Sequence, residues 1–153
     1  MPSFQSSVVA TVRQKIVTAA RWGLDHESQI HYGEIRPIPL ARTLPLTTDC
    51  SGFATLCYFL AGAPDPNGLG YIGQGYTGTM LRHLPHVPAA EARAGDLVIW
   101  GRYPGRHCAV VVEPGDDPLL VSHGAERGPL ELRFSAEQIA HAEQPVTWLS
   151  GVS

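Results

Sequence analysis

Thr48-Asp49-Cys50-Ser51-Gly52-Phe53 puts a cysteine where a polar loop meets an apolar run. The run continues through Ala54, Leu56, Cys57, Phe59 and Leu60 and is apolar on nearly every side. It predicts a central, buried helix that starts near Cys50 and ends at Gly62 and Pro64. Backbone N–H groups at a helix start favour an anion, and the thiolate is the nucleophilic form of cysteine. The usual fate of a free cysteine is burial as a small hydrophobe. That fate suits Cys57, two turns into the apolar run. It suits Cys50 badly, because Thr47, Thr48, Asp49 and Ser51 are poor core neighbours.

A nucleophilic cysteine needs a base, and the chain has seven histidines. His26, His31, His83, His86 and His141 lie in polar or irregular stretches and read as surface residues. His83-Leu-Pro-His86 lacks the matching ligands of a metal site. His107 and His123 differ, since each abuts an apolar strand: His107 opens His-Cys-Ala-Val-Val-Val and His123 closes Leu-Leu-Val-Ser-His. A hairpin centred on Gly115 would set His107 opposite His123, Ala109 opposite Val121 and Val111 opposite Leu119. Directly opposed residues share a face, so one imidazole could act as base and the other orient it. A bulge would spoil that register. The competing reading is two unrelated histidines at strand ends.

The elements around these residues can be read from periodicity. Residues 7–22 carry Val8, Val9, Val12, Ile16, Ala19 and Ala20 at helical spacing, with Ser6 or Ser7 as cap and Gly23 as stop. Pro37, Pro39 and Pro45 break up residues 24–48. Thr77 is placed to cap a short helix running to Leu84. Strands are predicted at 96–100, 107–112, 119–123, 130–134 and 146–149, with a firm turn at 114–118. Ser135-Ala-Glu-Gln138 resembles a capping box before the last strand. Helices first and hairpin-linked strands later make the class α+β. Gly68-Leu-Gly70-Tyr-Ile-Gly73 matches a dinucleotide pattern, but it follows a helix and two prolines where the motif needs a strand. It reads as a surface loop in which Tyr71 and Tyr76 could wall a groove.

The chain has 153 residues, 44% hydrophobic and 16% charged, which suits a single globular domain over 1–153. A net charge of −3, with ten Arg and one Lys, gives no basic tract for nucleic acid. No apolar run is long enough to span a bilayer. The N-terminus lacks the pattern of a signal peptide. Three cysteines without paired spacing argue against a disulfide framework and for synthesis in a reducing compartment.

Four segments together resemble the NlpC/P60 family of cysteine peptidases. Asp49-Cys50-Ser51-Gly52-Phe53 resembles its nucleophile motif, and Ala94-Gly95-Asp96-Leu97-Val98-Ile99-Trp100 its "GDLvff" strand. His107-Cys-Ala-Val-Val-Val resembles "HvgIy", with Cys108 and Ala109 replacing the usual Val-Gly. Val121-Ser122-His123 resembles the strand carrying the third catalytic residue. The resemblance spans about residues 8–134 and implies a papain-like α+β core, with N-terminal helices packed on an antiparallel sheet of about five strands. It implies Cys50 as nucleophile, His107 as general base and His123 as the orienting group. Tyr32, Asp49 and Ser51 would hold the substrate, with a preference for a free amino terminus. No metal or organic cofactor is implied.

The substrate so implied is the peptide part of bacterial cell-wall peptidoglycan, with neither nucleic acid nor membrane as partner. The chain lacks an export signal and wall-binding modules, and its Asp65-Pro-Asn-Gly-Leu-Gly-Tyr71 loop resembles phage versions. It thus resembles a phage lysin or tail peptidase, made in the cytoplasm and reaching the wall by lysis or in the virion. A toxin of rival bacteria is another source of such a chain. Three other activities stand beside this one: a CHAP-like N-acetylmuramoyl-L-alanine amidase, a thioester acyltransferase on lipids, and a non-catalytic phage structural or binding module.

Overall fold

The computed structural model describes residues 10–124 and 128–152. The first helix among the described residues, α1, covers Val12–Asp25 and is capped by Thr11, not by Ser6 or Ser7. Thr11 and Gln14 form a reciprocal capping box, which satisfies two backbone donors and sets the start. Ser6, Ser7, Val8 and Val9 lie outside the described residues. Helix α2, Cys50–Leu60, begins at Cys50 as predicted. Its residues Ser51 through Tyr58 are all buried, so it is the central helix of one core. Before it, β1 (Ile30–Tyr32) and β2 (Leu46–Thr48) pair in parallel, an element the proline-interrupted sequence did not announce.

Helix α3 spans Thr77–His83, with Tyr76 rather than Thr77 at the cap position. The main sheet is built from β3 (His86–Val87), β4 (Leu97–Trp100), β5 (His107–Glu113), β6 (Leu119–Ser122), β7 (Leu130–Arg133) and β8 (Val146–Leu149). It has six strands rather than about five, ordered β3-β8-β4-β5-β6-β7 and antiparallel throughout. The extra one is the two-residue β3. The α+β class holds.

Alternation sorts the sheet into two faces. Leu97, Ile99, Cys108, Val110, Val121 and Leu149 pack with α1 and α2. Val98, Trp100, Ala109, Val111, Leu120 and Trp148 form a second cluster. Helix α4 (Phe134–Ala140) reaches that cluster: Phe134 stacks on Trp100, and Gln138 accepts from the Trp100 indole at 2.6 Å. Ser135 is not a capping residue. It lies inside α4, where its backbone N–H and hydroxyl both donate to Asp117.

A buried ion pair ties α1 to the sheet. Arg13 meets Asp96 at 2.7 Å and also donates to the Ala94 and Val152 carbonyls. Asp96 further accepts from the backbone of Arg93 and Gly151. The Asp of the "GDL" segment is therefore an anchor. The Gly-rich loop is anchored as well: Asp65 accepts from the backbone N–H groups of Asn67, Leu69 and Tyr71.

Candidate active site

Asp49 caps α2 by accepting from Gly52 N–H at 2.8 Å, which leaves Cys50 as the first helical residue. A Cβ at Gly52 would come within 2.2 Å of Thr48 Oγ1 and 2.8 Å of Asp49 Oδ1, so this cap needs a glycine there. The first N–H groups of a helix have no intrahelical acceptor and face an anion at its start. Cys50 is partly exposed, whereas Cys57 and Cys108 are buried among apolar side chains. Burial drives the Cys57 thiol well above its ordinary pKa. Cys57 is thus the core cysteine of the sequence reading.

Cys50 lies close enough to His107 to raise its pKa. Its Nε2 contacts Ser122 Oγ at 2.7 Å and Glu137 Oε2 at 3.0 Å, which leaves Nδ1 for the thiol. Burial lowers the His107 pKa, but the hydrogen bonds to Cys50 and Glu137, and their charges, outweigh it and push it up to about 9. Burial raises the Glu137 carboxyl, and the bonds from His107 and Ser122 more than reverse that, so it lies below its ordinary value. The imidazolium N–H therefore donates to a carboxylate and a hydroxyl.

His123 does not orient His107. The hairpin pairs Ala109 with Ser122, Val110 with Val121 and Val111 with Leu120, not Ala109 with Val121. Glu113 opposite Leu119 centres the turn beyond Gly115, and a bulge between Val111 and Glu113 takes back part of that shift. The net displacement is one residue, which reverses the faces. Ser122 joins His107, and His123 points to the opposite side. There its Nε2–H donates to the carbonyls of Thr48 at 2.8 Å and His31 at 3.1 Å, and its ring packs near Tyr32 and Phe53. Burial lowers the His123 pKa, in keeping with a neutral ring that pins β1 and β2 behind the nucleophile.

Cys50 and His107 open onto a cleft of about 330 Å³, bordered by Tyr32, Ser122, Glu137 and His141 among others. Tyr32 is 40% exposed there. Burial, then the Cys50 and Asp49 charges, raise its pKa. His141 is not a remote surface residue: its ring stacks on His107 with centroids 4.7 Å apart. Tyr71 and Tyr76 do not wall this cleft. Tyr71 donates to the Ala63 carbonyl, and Tyr76 pairs with Tyr103.

Asp49 and Ser51 already have a cation. Arg36 Nη2 lies 3.2 Å from Asp49 Oδ2 and 3.3 Å from Ser51 Oγ. The sequence reading missed Arg36, Ser122 and Glu137. Only their folded position, not their spacing, connects them to Cys50.

Among the described residues, His107, Glu137 and His141 place one ligand atom each within 4.8 Å of one another. The two rings are inclined by only 13° in their stack, so their in-plane lone pairs do not converge on one ion. The cluster is suited to proton transfer.

No family model and no curated protein matches the chain. Solved structures do. The NlpC/P60 domain of the peptidoglycan hydrolase SagA superposes with a TM-score of 0.61 at 17% identity, over 90% of this chain and 97% of that one. RipB, a peptidoglycan hydrolase of Mycobacterium tuberculosis, gives 0.59 at 16%, over 97% and 70%. An NlpC/P60 family protein of Bacillus cereus gives 0.61 at 15%, over 95% of this chain but only 42% of its own length. The chain has the NlpC/P60 fold.

Proposed function

We propose that the protein is a cysteine hydrolase of bacterial peptidoglycan that cuts peptide bonds in the stem peptides. The observation that carries this reading is that Cys50, at a helix start, and His107, whose pKa it raises, line one cleft. The description of SagA and RipB as peptidoglycan hydrolases supports the substrate class.

Cys50 attacks the scissile carbonyl as the thiolate beside the His107 imidazolium. The carbon–sulfur bond forms, and the carbonyl oxygen takes the charge near the Cys50 backbone N–H, a donor of a kind that contributes about 2.7–4 kcal/mol where tested. His107 then gives its proton to the leaving amine, and the carbon–nitrogen bond breaks. Neutral His107 next takes a proton from water, which attacks the thioester and regenerates the thiolate and the imidazolium. Ser122 and Glu137 hold His107 in orientation through both steps. Tyr32 borders the cleft, and Asp49 and Ser51 flank Cys50 in sequence.

The phage-like loop and the peptide-cutting reading together support action on the wall after lysis or from within a virion. Purified peptidoglycan digested by the protein tests the proposal. New amino termini within the stem peptide, seen by mass and absent with Cys50→Ala, are the expected result. Release of whole stem peptides from muramic acid would make it an amidase. Binding without any product would make it a binding module.

A further inference from the structure

The Asp49 carboxylate, next to the nucleophile in sequence, already has a cation. Asp49 Oδ1 accepts from Gly52 N–H at 2.8 Å and from Ser51 Oγ at 3.5 Å, and Oδ2 faces Arg36. Arg36 is itself fixed from outside this group. Its Nε donates to the Gly75 carbonyl at 2.9 Å and its Nη1 to the Ile35 carbonyl at 2.8 Å. The adjoining backbone is tied to the same loop, since Ile38 N–H donates to the Gly73 carbonyl at 2.7 Å. A Cβ on Gly73 would lie 2.5 Å from the Pro37 ring, so the two loops meet too closely for a side chain there. The Arg36 side chain is 23% exposed and the Asp49 side chain 10%. This is a guanidinium held by two loops against the acid, unlike a solvated surface arginine.

A substrate ammonium brought to Tyr32, Asp49 and Ser51 would meet a neutralised acid and a like charge. An amide-blocked amino end brings no charge, and it offers a carbonyl and an N–H to the same polar groups. We propose that Arg36 is a built-in counter-cation that fits this site to peptides whose amino end is acylated and disfavours those ending in a free ammonium. This rests on Cys50 and His107 being the hydrolytic pair. It reverses the preference for a free amino terminus implied by the sequence resemblance. An acylated amino end is also what a stem peptide has while still attached to the glycan strand, so the chain would act on intact wall rather than on released peptides.

The test is a pair of stem peptides that differ only in N-acetylation, compared in the protein with and without Arg36→Gln. Wild type should cleave the acetylated peptide more efficiently by about tenfold in kcat/KM, and Arg36→Gln should shift the ratio toward the free amine by a similar factor. Arg36→Lys keeps the charge and should keep the preference in direction. The Kd ratio for the same peptides is also measured by calorimetry in the Cys50→Ala background, with and without Arg36→Gln. That ratio reads the amino-end site whether or not peptide bonds are cut. An unchanged ratio on loss of Arg36, a wild-type preference for the free amine, or no binding of either peptide overturns the proposal. Full turnover by Cys50→Ala would instead overturn the hydrolytic reading and leave the Kd ratio as the measure of Arg36.

Discussion

Glu137, on the helix that follows β7, reaches back 30 residues to meet His107 Nε2 at 3.0 Å. Both side chains are nearly buried, with relative exposures of 11% for His107 and 12% for Glu137. The carboxylate and the Ser122 hydroxyl thus take the orienting position that the sequence assigned to His123.

This contact fixes a pH dependence. In the proposed reaction His107 is protonated when it donates to the leaving amine, and its pKa is raised to about 9. Activity should therefore fall as pH rises through about 9. The histidine's contribution to stability has the same sign: it is full below the unfolded value near 6.5 and is lost as pH rises through the folded value. Glu137→Gln removes the carboxylate that favours the imidazolium, so the alkaline limb of kcat/KM should move to lower pH. Turnover should fall by less than the roughly 10²–10⁴-fold lost with the acid–base group itself. A limb that stays in place in Glu137→Gln would rule out Glu137 as the orienting group.

His123→Ala should behave differently. It deletes the donor shared by the Thr48 and His31 carbonyls. The His31 carbonyl then loses this donor and the Thr48 carbonyl keeps only the Gly33 N–H, at about 1–3 kcal/mol of stability. The alkaline limb should stay where it is, because His123 does not touch His107. Chemical denaturation and a pH–rate profile of the same variant separate the two roles.

Asp96→Ala should be among the most destabilising single changes. It leaves Arg13 buried without its carboxylate, and removing one partner of a buried pair costs about 3–5 kcal/mol. Replacing Arg13 by Met at the same time should recover part of that loss, since no buried charge then remains unpaired. Thermal melts of the single and double variants check this. A double variant no more stable than Asp96→Ala would mean that the charge is not the cause.

What was legible in the sequence was local. Cys50 could be read because the polar-to-apolar switch at a helix start spans only a few residues, and Cys57 because its neighbours are all apolar. His107 could be read because it opens a strand. His123 was misassigned because the side on which a strand residue points depends on a register that one bulge reverses. Ser122, which does meet His107, directly precedes His123, and only the pairing of Ala109 with Ser122 puts it there. Glu137 and His141 come to the cleft from a later helix and its end, and Arg36 comes to Asp49 from an irregular loop, where no periodicity marks them. The six-stranded sheet exceeded expectation by β3, which at two residues is too short to show alternation.

Trapping the acyl-enzyme decides whether Cys50 is the nucleophile. The protein is mixed with a stem-peptide substrate, quenched in acid during turnover, digested, and mapped by mass spectrometry. The expected result is an acyl adduct on the peptide bearing Cys50, absent when Cys50 is replaced by Ala and retained in Cys57→Ala. An adduct on Cys57 or Cys108, or hydrolysis that continues without any thiol adduct in the Cys50→Ala variant, would contradict it.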